Sequence, residues 1–143
     1  MKLEKLLNQQ VGNLIVLYVK LHNYHWFVSG CHFFGLHEKF EELYDQTTEL
    51  YDEVAEIMLM EGLKPVATLK DSLAVATLNE ATNKETKADM IQALLADYKQ
   101  LKAETLAALE VAEEEGNVVI ADLLTTLSVT YSKHIWMLGE LVK

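Results

Sequence analysis

Four of the five histidines, His22, His25, His32 and His37, lie between positions 22 and 37. Directly after them His37, Glu41, Asp45, Thr48, Asp52 and Glu56 recur at intervals of four and three residues. At about 100° per residue, that spacing places all six in one polar, mostly acidic stripe along a helix. Imidazole nitrogen beside carboxylate oxygen suits iron, zinc or manganese, and an i, i+4 pair presents its ligands side by side. A solvated helix also carries acidic residues opposite its core. Residue types alone therefore leave two readings open, a metal site and a solvated face.

Distance narrows the kind of site the stripe can build. Asp52 lies fifteen residues beyond His37, which at about 1.5 Å per residue is roughly 22 Å along the same helix. One copy of the helix cannot close both ends around one metal. Two copies packed antiparallel about a two-fold axis can, because the His37/Glu41 end of one then meets the Asp52/Glu56 end of the other. A site at the centre of a single bundle uses Glu-x-x-His pairs, and no histidine here has glutamate three residues before it. Tyr131 precedes His134 by three, so His134 is expected to be a structural or capping residue.

The elements that must carry these residues follow from hydrophobic periodicity. Leu3, Leu7, Leu14, Leu17, Leu21, His25 and Val28 mark a first helix at about 3–28. Ser29 to Gly35 breaks the pattern as a loop. Leu36, Phe40, Leu43, Thr47, Leu50, Val54 and Met58 mark a second helix to about Met60, ended by Gly62 and Pro65. The segment 63–82 holds enough apolar residues for a short helix inside a long crossover. A third long helix is expected at 85–115, with Thr82 and Asn83 as caps and Gly116 as its stop. Asn117 then caps a fourth. Four long amphipathic helices with one long crossover between the second and third describe an all-α, ferritin-like four-helix bundle. One domain, 1–143, accounts for the length.

Composition limits the partners. The chain has 143 residues and a formal net charge of −10, and all 12 of its Lys+Arg residues are lysine. With no guanidinium and an overall negative field, nucleic acid is disfavoured and cations are favoured. The lone Cys31 forms no internal disulfide, which suits a reducing compartment. The start of the chain lacks a signal-peptide hydrophobic region, and no apolar run reaches the roughly 18 residues of a membrane span. A soluble, cytoplasmic protein without membrane partners is expected. Met58, Met60, Met90 and Met137 are packing residues rather than cofactor ligands. Tyr44, Tyr51 and Tyr98 are core or interface residues with a hydroxyl at the edge.

The run Lys20-Leu21-His22-Asn23-Tyr24-His25-Trp26, the loop ending Phe33-Phe34-Gly35, and Leu36-His37-Glu38-Lys39-Phe40-Glu41-Glu42-Leu43-Tyr44-Asp45 carry a specific likeness. With Asp52-Glu53-Val54-Ala55-Glu56 and the terminal Lys133-His134-Ile135-Trp136-Met137, the chain resembles the Dps mini-ferritins over nearly its whole length. The resemblance implies a hollow shell of twelve subunits that oxidises Fe(II), usually with hydrogen peroxide, at centres shared across two-fold interfaces and stores ferric mineral. It implies His25 and His37 as ligands from one subunit, and Asp52 and Glu56 as ligands from its neighbour. Glu41 stands where the family commonly has a further, aspartate ligand. Trp26 matches the aromatic residue proposed to intercept oxidising equivalents. Glu113 and Asp122 are the candidates for an acidic iron-entry pore.

The chain also departs from the family pattern. Only Lys2 and Lys5 stand at the start of the first helix in place of a basic tail, which argues against direct DNA binding. Cys31-His32 replaces the residues usual in the loop, leaving His32 as a surface residue or an accessory metal contact. Zinc and manganese remain competitors for the same ligands. A non-enzymatic shell that coats DNA or binds a partner is the alternative from a different functional class.

Overall fold

The computed structural model describes residues 2–143; Met1 lies outside them. Its elements are α1 (Lys2–Phe27), α2 (Phe33–Met60), α3 (Leu69–Val75), α4 (Lys87–Glu114) and α5 (Val118–Leu141), with no strand among the described residues. Two hairpins, α1 with α2 and α4 with α5, make the main packing layers, and α1 also packs on α4. The short helix α3 rides on α1 within the crossover from α2 to α4. This is the expected bundle with its long crossover.

The core holds most of the side chains the periodicity singled out on α1 and α2, joined by residues of α4 and α5. Leu7, Leu14, Leu17 and Leu21 of α1, Phe40, Val54 and Met58 of α2, Leu94 and Leu101 of α4, and Leu124 and Tyr131 of α5 are fully buried. Each large aliphatic side chain taken out of water contributes about 1.5–3 kcal/mol before packing and entropy are counted. That burial fixes which face of α2 points inward, and so which face carries His37, Glu41, Asp52 and Glu56 outward.

Helix α2 begins at Phe33, ahead of the expected Leu36. Glycine at 35 costs about 1 kcal/mol in a helix interior, but Phe33 stacks on His37 one turn later, ring centroids 5.0 Å apart, and anchors the early turn. Its other end is set by Gly62, whose φ of 76° admits the left-handed cap. The Leu63 N–H donates to the Met58 carbonyl at 2.8 Å and the Gly62 N–H to that of Leu59 at 3.1 Å, closing the helix.

The start of α4 corrects an expectation. Thr82 and Asn83 do not cap it; Thr86 does, in a reciprocal capping box with Asp89. The Asp89 N–H donates to Thr86 Oγ1 at 3.1 Å and the Thr86 N–H to Asp89 Oδ2 at 3.0 Å, two terminal donors satisfied at once. Thr82 instead donates through its N–H and hydroxyl to Glu85 Oε1, closing a turn upstream. Asn117 does cap α5, its Oδ1 accepting from the Ile120 N–H at 3.0 Å.

The crossover is clasped to the bundle by Asn13. Its Oδ1 accepts from the Thr77 N–H at 2.6 Å and the Leu78 N–H at 3.0 Å, while Nδ2 donates to Glu104 Oε2 at 2.8 Å and Thr77 Oγ1 at 2.9 Å. Beside it, Gly12 lets α3 approach: a Cβ there would stand 2.6 Å from the Ser72 carbonyl oxygen. Lys20, buried, bridges Asp97 of α4 at 2.8 Å and the Asn79 carbonyl at 2.9 Å. These ties hold the outward face of the α1–α2 hairpin in fixed register.

Candidate metal centre

A five-residue loop between α1 and α2 folds the last turn of α1 against the first turns of α2, so His25 and His37 meet. Their rings stack with centroids 3.7 Å apart and planes 12° from parallel. Each ring is tied to the other's backbone: His25 Nδ1 lies 2.6 Å from the His37 carbonyl oxygen, and His37 Nδ1 lies 2.7 Å from that of His25. A carbonyl can only accept, so both Nδ1 atoms carry the proton. In the neutral tautomer so fixed, Nε2 is the nitrogen that carries the lone pair. A hydrogen bond at the far nitrogen that fixes tautomer and ring orientation is the usual support of a metal-ligating histidine.

Glu41 comes next, one turn along α2. Its Oε1 lies 3.8 Å from His25 Nε2, and its side chain is about half exposed, 53%. The Tyr44 hydroxyl donates to the same oxygen at 3.3 Å. Burial, and then the Glu41 carboxylate, hold the Tyr44 phenol above its ordinary range, so it stays a donor. The Tyr44 ring stacks on His22 with centroids 3.8 Å apart and stands edge-on to His25 at 5.3 Å. Two stacked imidazoles, His25 buried and His37 half-buried, and one exposed carboxylate thus share a corner of the hairpin.

Asp52 and Glu56 are not brought to that corner. Both are exposed on the same helix, further along its outward face. Among the described residues, no three His, Cys, Asp or Glu side chains converge at metal-binding distance. Within one chain, His25, His37 and Glu41 lie together at the start of α2, and Asp52 and Glu56 lie apart from them further along that helix.

The ferritin-like domain family matches residues 4–143. A DNA protection during starvation protein of Brevibacillus brevis is 47% identical over 133 residues, covering 93% of this chain and 89% of that protein. The crystal structure of a Dps protein from Bacillus brevis superposes with a TM-score of 0.96 at 44% identity, over 99% of this chain and 95% of the other. The chain belongs to the ferritin-like family, in its Dps branch. A Dps protein from Vibrio cholerae, described as a member of a broad superfamily of ferritin-like diiron-carboxylate proteins, superposes at 0.95 with 31% identity, over 99% of this chain and 89% of that one.

Several other residues singled out from the Dps resemblance have distinct settings. Trp26 is 65% exposed, and its ring meets His22, centroids 5.2 Å apart, on the side of α1 that faces Tyr44. His32 is exposed and takes a left-handed backbone, φ 67°, at the N-terminal boundary of α2 without a side-chain cap bond. Cys31 is exposed, and its carbonyl accepts from Lys87 Nζ at 2.7 Å. Glu113 and Asp122 line one open depression around Gly116 and Asn117, where α4 turns into α5.

His134 is buried inside the bundle, where Nε2 lies 2.5 Å from Gln46 Oε1. The amide oxygen accepts, so Nε2 carries the proton. Burial, with Lys39 and Lys133 nearby, pulls its pKa down to about 4. The Tyr98 ring packs on it, centroids 4.8 Å apart. No described helix is long and apolar enough to cross a membrane. His22, one of the clustered histidines, and Tyr44, expected as a core or interface residue with its hydroxyl at the edge, both pack on the corner; the three-residue step from Glu41 to Tyr44 is the sequence signal of their contact.

Proposed function

We propose that this protein is a ferroxidase that stores iron, its centres formed between two copies of the chain and its assembly a hollow shell of twelve subunits. His25, His37 and Glu41 of one copy bind ferrous iron, together with Asp52 and Glu56 from the facing copy. The observation that carries the reading is the reciprocal His25–His37 lock, which spends both Nδ1 atoms on backbone carbonyls and leaves the Nε2 atoms for a ligand, with Glu41 beside that of His25 and, among the described residues, no group of three donors from one chain. Iron is the substrate here, and the donor set of neutral imidazole and carboxylate fits it.

The protein's share of the chemistry is positioning and charge. Carboxylates stabilise the ferric product relative to the ferrous substrate, and paired part-sites bring two ferrous ions within reach of one oxidant molecule. Two Fe(II) each give up one electron; hydrogen peroxide accepts both, its O–O bond breaks, and two protons complete two waters. Peroxide is thereby consumed without releasing hydroxyl radical. Ferric product moves to the shell interior, and Glu113 and Asp122 supply an acidic entry for Fe(II). Trp26 intercepts stray oxidising equivalents.

DNA protection, the role named for the Brevibacillus brevis relative, follows here from removing iron and peroxide rather than from coating DNA, because a charge of −10 repels a polyanion. The same donors accept zinc and manganese, which are expected to compete with iron and slow its oxidation. The test is anaerobic loading with Fe(II) followed by peroxide, alongside the particle mass in solution. Oxidation well above the buffer blank by a particle of about twelve chains supports the reading. A monomer, or blank-level oxidation, overturns it.

A further inference from the structure

We propose that Tyr44 is a positioning residue of the metal centre, its hydroxyl holding the Glu41 carboxylate toward His25 Nε2 while His22 holds the Tyr44 ring. The inference rests on the ferroxidase reading above and adds two residues that do not themselves touch iron. An exposed glutamate has three side-chain torsions to fix, one more than an aspartate, and fixing them opposes ligation. Glu41 is such a residue, on an outward corner where nothing from its own helix core reaches it. The Tyr44 hydroxyl, donating to Oε1 at 3.3 Å, selects the rotamer that leaves that oxygen 3.8 Å from His25 Nε2.

The hydroxyl can do this because its ring is not free to move. It is stacked on His22, 3.8 Å between centroids and 19° between planes, and stands edge-on to His25 and to Tyr18 at 6.0 Å. His22 is itself anchored on α1: Nδ1 lies 2.9 Å from the Tyr18 carbonyl oxygen and its ring stands edge-on to Tyr18 at 4.6 Å. The chain of contacts runs from the α1 backbone through His22 and Tyr44 to Glu41. Packing on one helix thus sets a ligand on the other.

The test is anaerobic titration of the assembled protein with Co(II), followed by the visible absorption of the bound ion. Y44F keeps the stacked ring and removes only the hydroxyl. It is expected to weaken Co(II) binding about tenfold, the lower end for loss of a partner that orients a ligand, and to alter the Co(II) band intensities. E41Q should weaken binding at least as much, and the double variant Y44F/E41Q no more than E41Q alone, because the hydroxyl acts through that carboxylate. Particle mass should be unchanged in all three. Wild-type affinity in Y44F, or losses that simply add in the double variant, would overturn the proposal while leaving the centre intact if H37A still abolishes binding. Unchanged binding in H37A removes the centre and this proposal with it.

Discussion

Histidine appears in two settings in this molecule that differ in which ring nitrogen the fold consumes. At the α1–α2 corner, His25 and His37 spend Nδ1 on backbone carbonyls, and His25 Nε2 faces the half-exposed Glu41 carboxylate at 3.8 Å. In the bundle core, His134 spends Nε2 on the Gln46 amide and buries its other nitrogen without a partner. The proposed ligand pair keeps the nitrogen on the Glu41 side for a metal, whereas His134 is a packing residue whose burial disfavours its charged form. Sharing a residue type, the two regions show that ligand capacity lies in the hydrogen bond made at the far nitrogen and in where the free lone pair points.

The contrast breaks first at the corner. Replacing His37 with alanine removes one proposed ligand and unlocks His25, and is expected to slow peroxide-driven Fe(II) oxidation by at least about a hundredfold, beyond the range for an orienting partner. Stopped-flow absorbance of the ferric product measures it. H134Q should leave that rate near wild type.

In the core the readout is stability against pH. His134 has a folded pKa of about 4 against an ordinary 6.5. Between those values the unfolded chain takes up a proton that the folded chain refuses, so stability is full above pH 6.5 and falls as pH drops to 4. The loss amounts to roughly 3 kcal/mol at most. Melting curves across that window should show the decline, and H134Q should flatten it. An equally steep decline in H134Q would assign the acid sensitivity elsewhere.

Smaller effects sharpen the division between scaffold and site. N13A leaves the Thr77 and Leu78 amides without their acceptor and is expected to cost about 1–3 kcal/mol in unfolding experiments, with Co(II) affinity unchanged. Smallest of all, duplex DNA should not be retarded in gel shifts at physiological salt, because the chain has no arginine and a net charge of −10.

Much of this was legible before any coordinates. Apolar spacing placed α1 and α2, the apolar content of 63–82 placed α3, and Gly62, Gly116 and Asn117 marked real helix ends. The start of α4 was misplaced because Thr82 and Thr86 look equally good as caps, and only the Thr86–Asp89 reciprocity separates them. The start of α2 was hidden by Gly35, whose cost is met by Phe33 packing on His37, a contact with no periodic signature. At the site, ligand types and the distance from His37 to Asp52 were readable. The His25–His37 lock was not, since it depends on how a five-residue loop aims two backbone carbonyls. Tyr44 looked like ordinary packing until its hydroxyl was seen on Glu41.

The central claim is that each centre draws its ligands from two copies of the chain, and mixed assembly tests it directly. H37A and D52A are each expected to be inactive alone. Where the two pair about a two-fold axis, one of the two centres loses both ligands and the other regains a complete wild-type set. An equimolar, randomly assembled mixture should therefore recover about one quarter of the wild-type oxidation rate. Activity in the mixed particle no higher than in either variant alone would contradict the account.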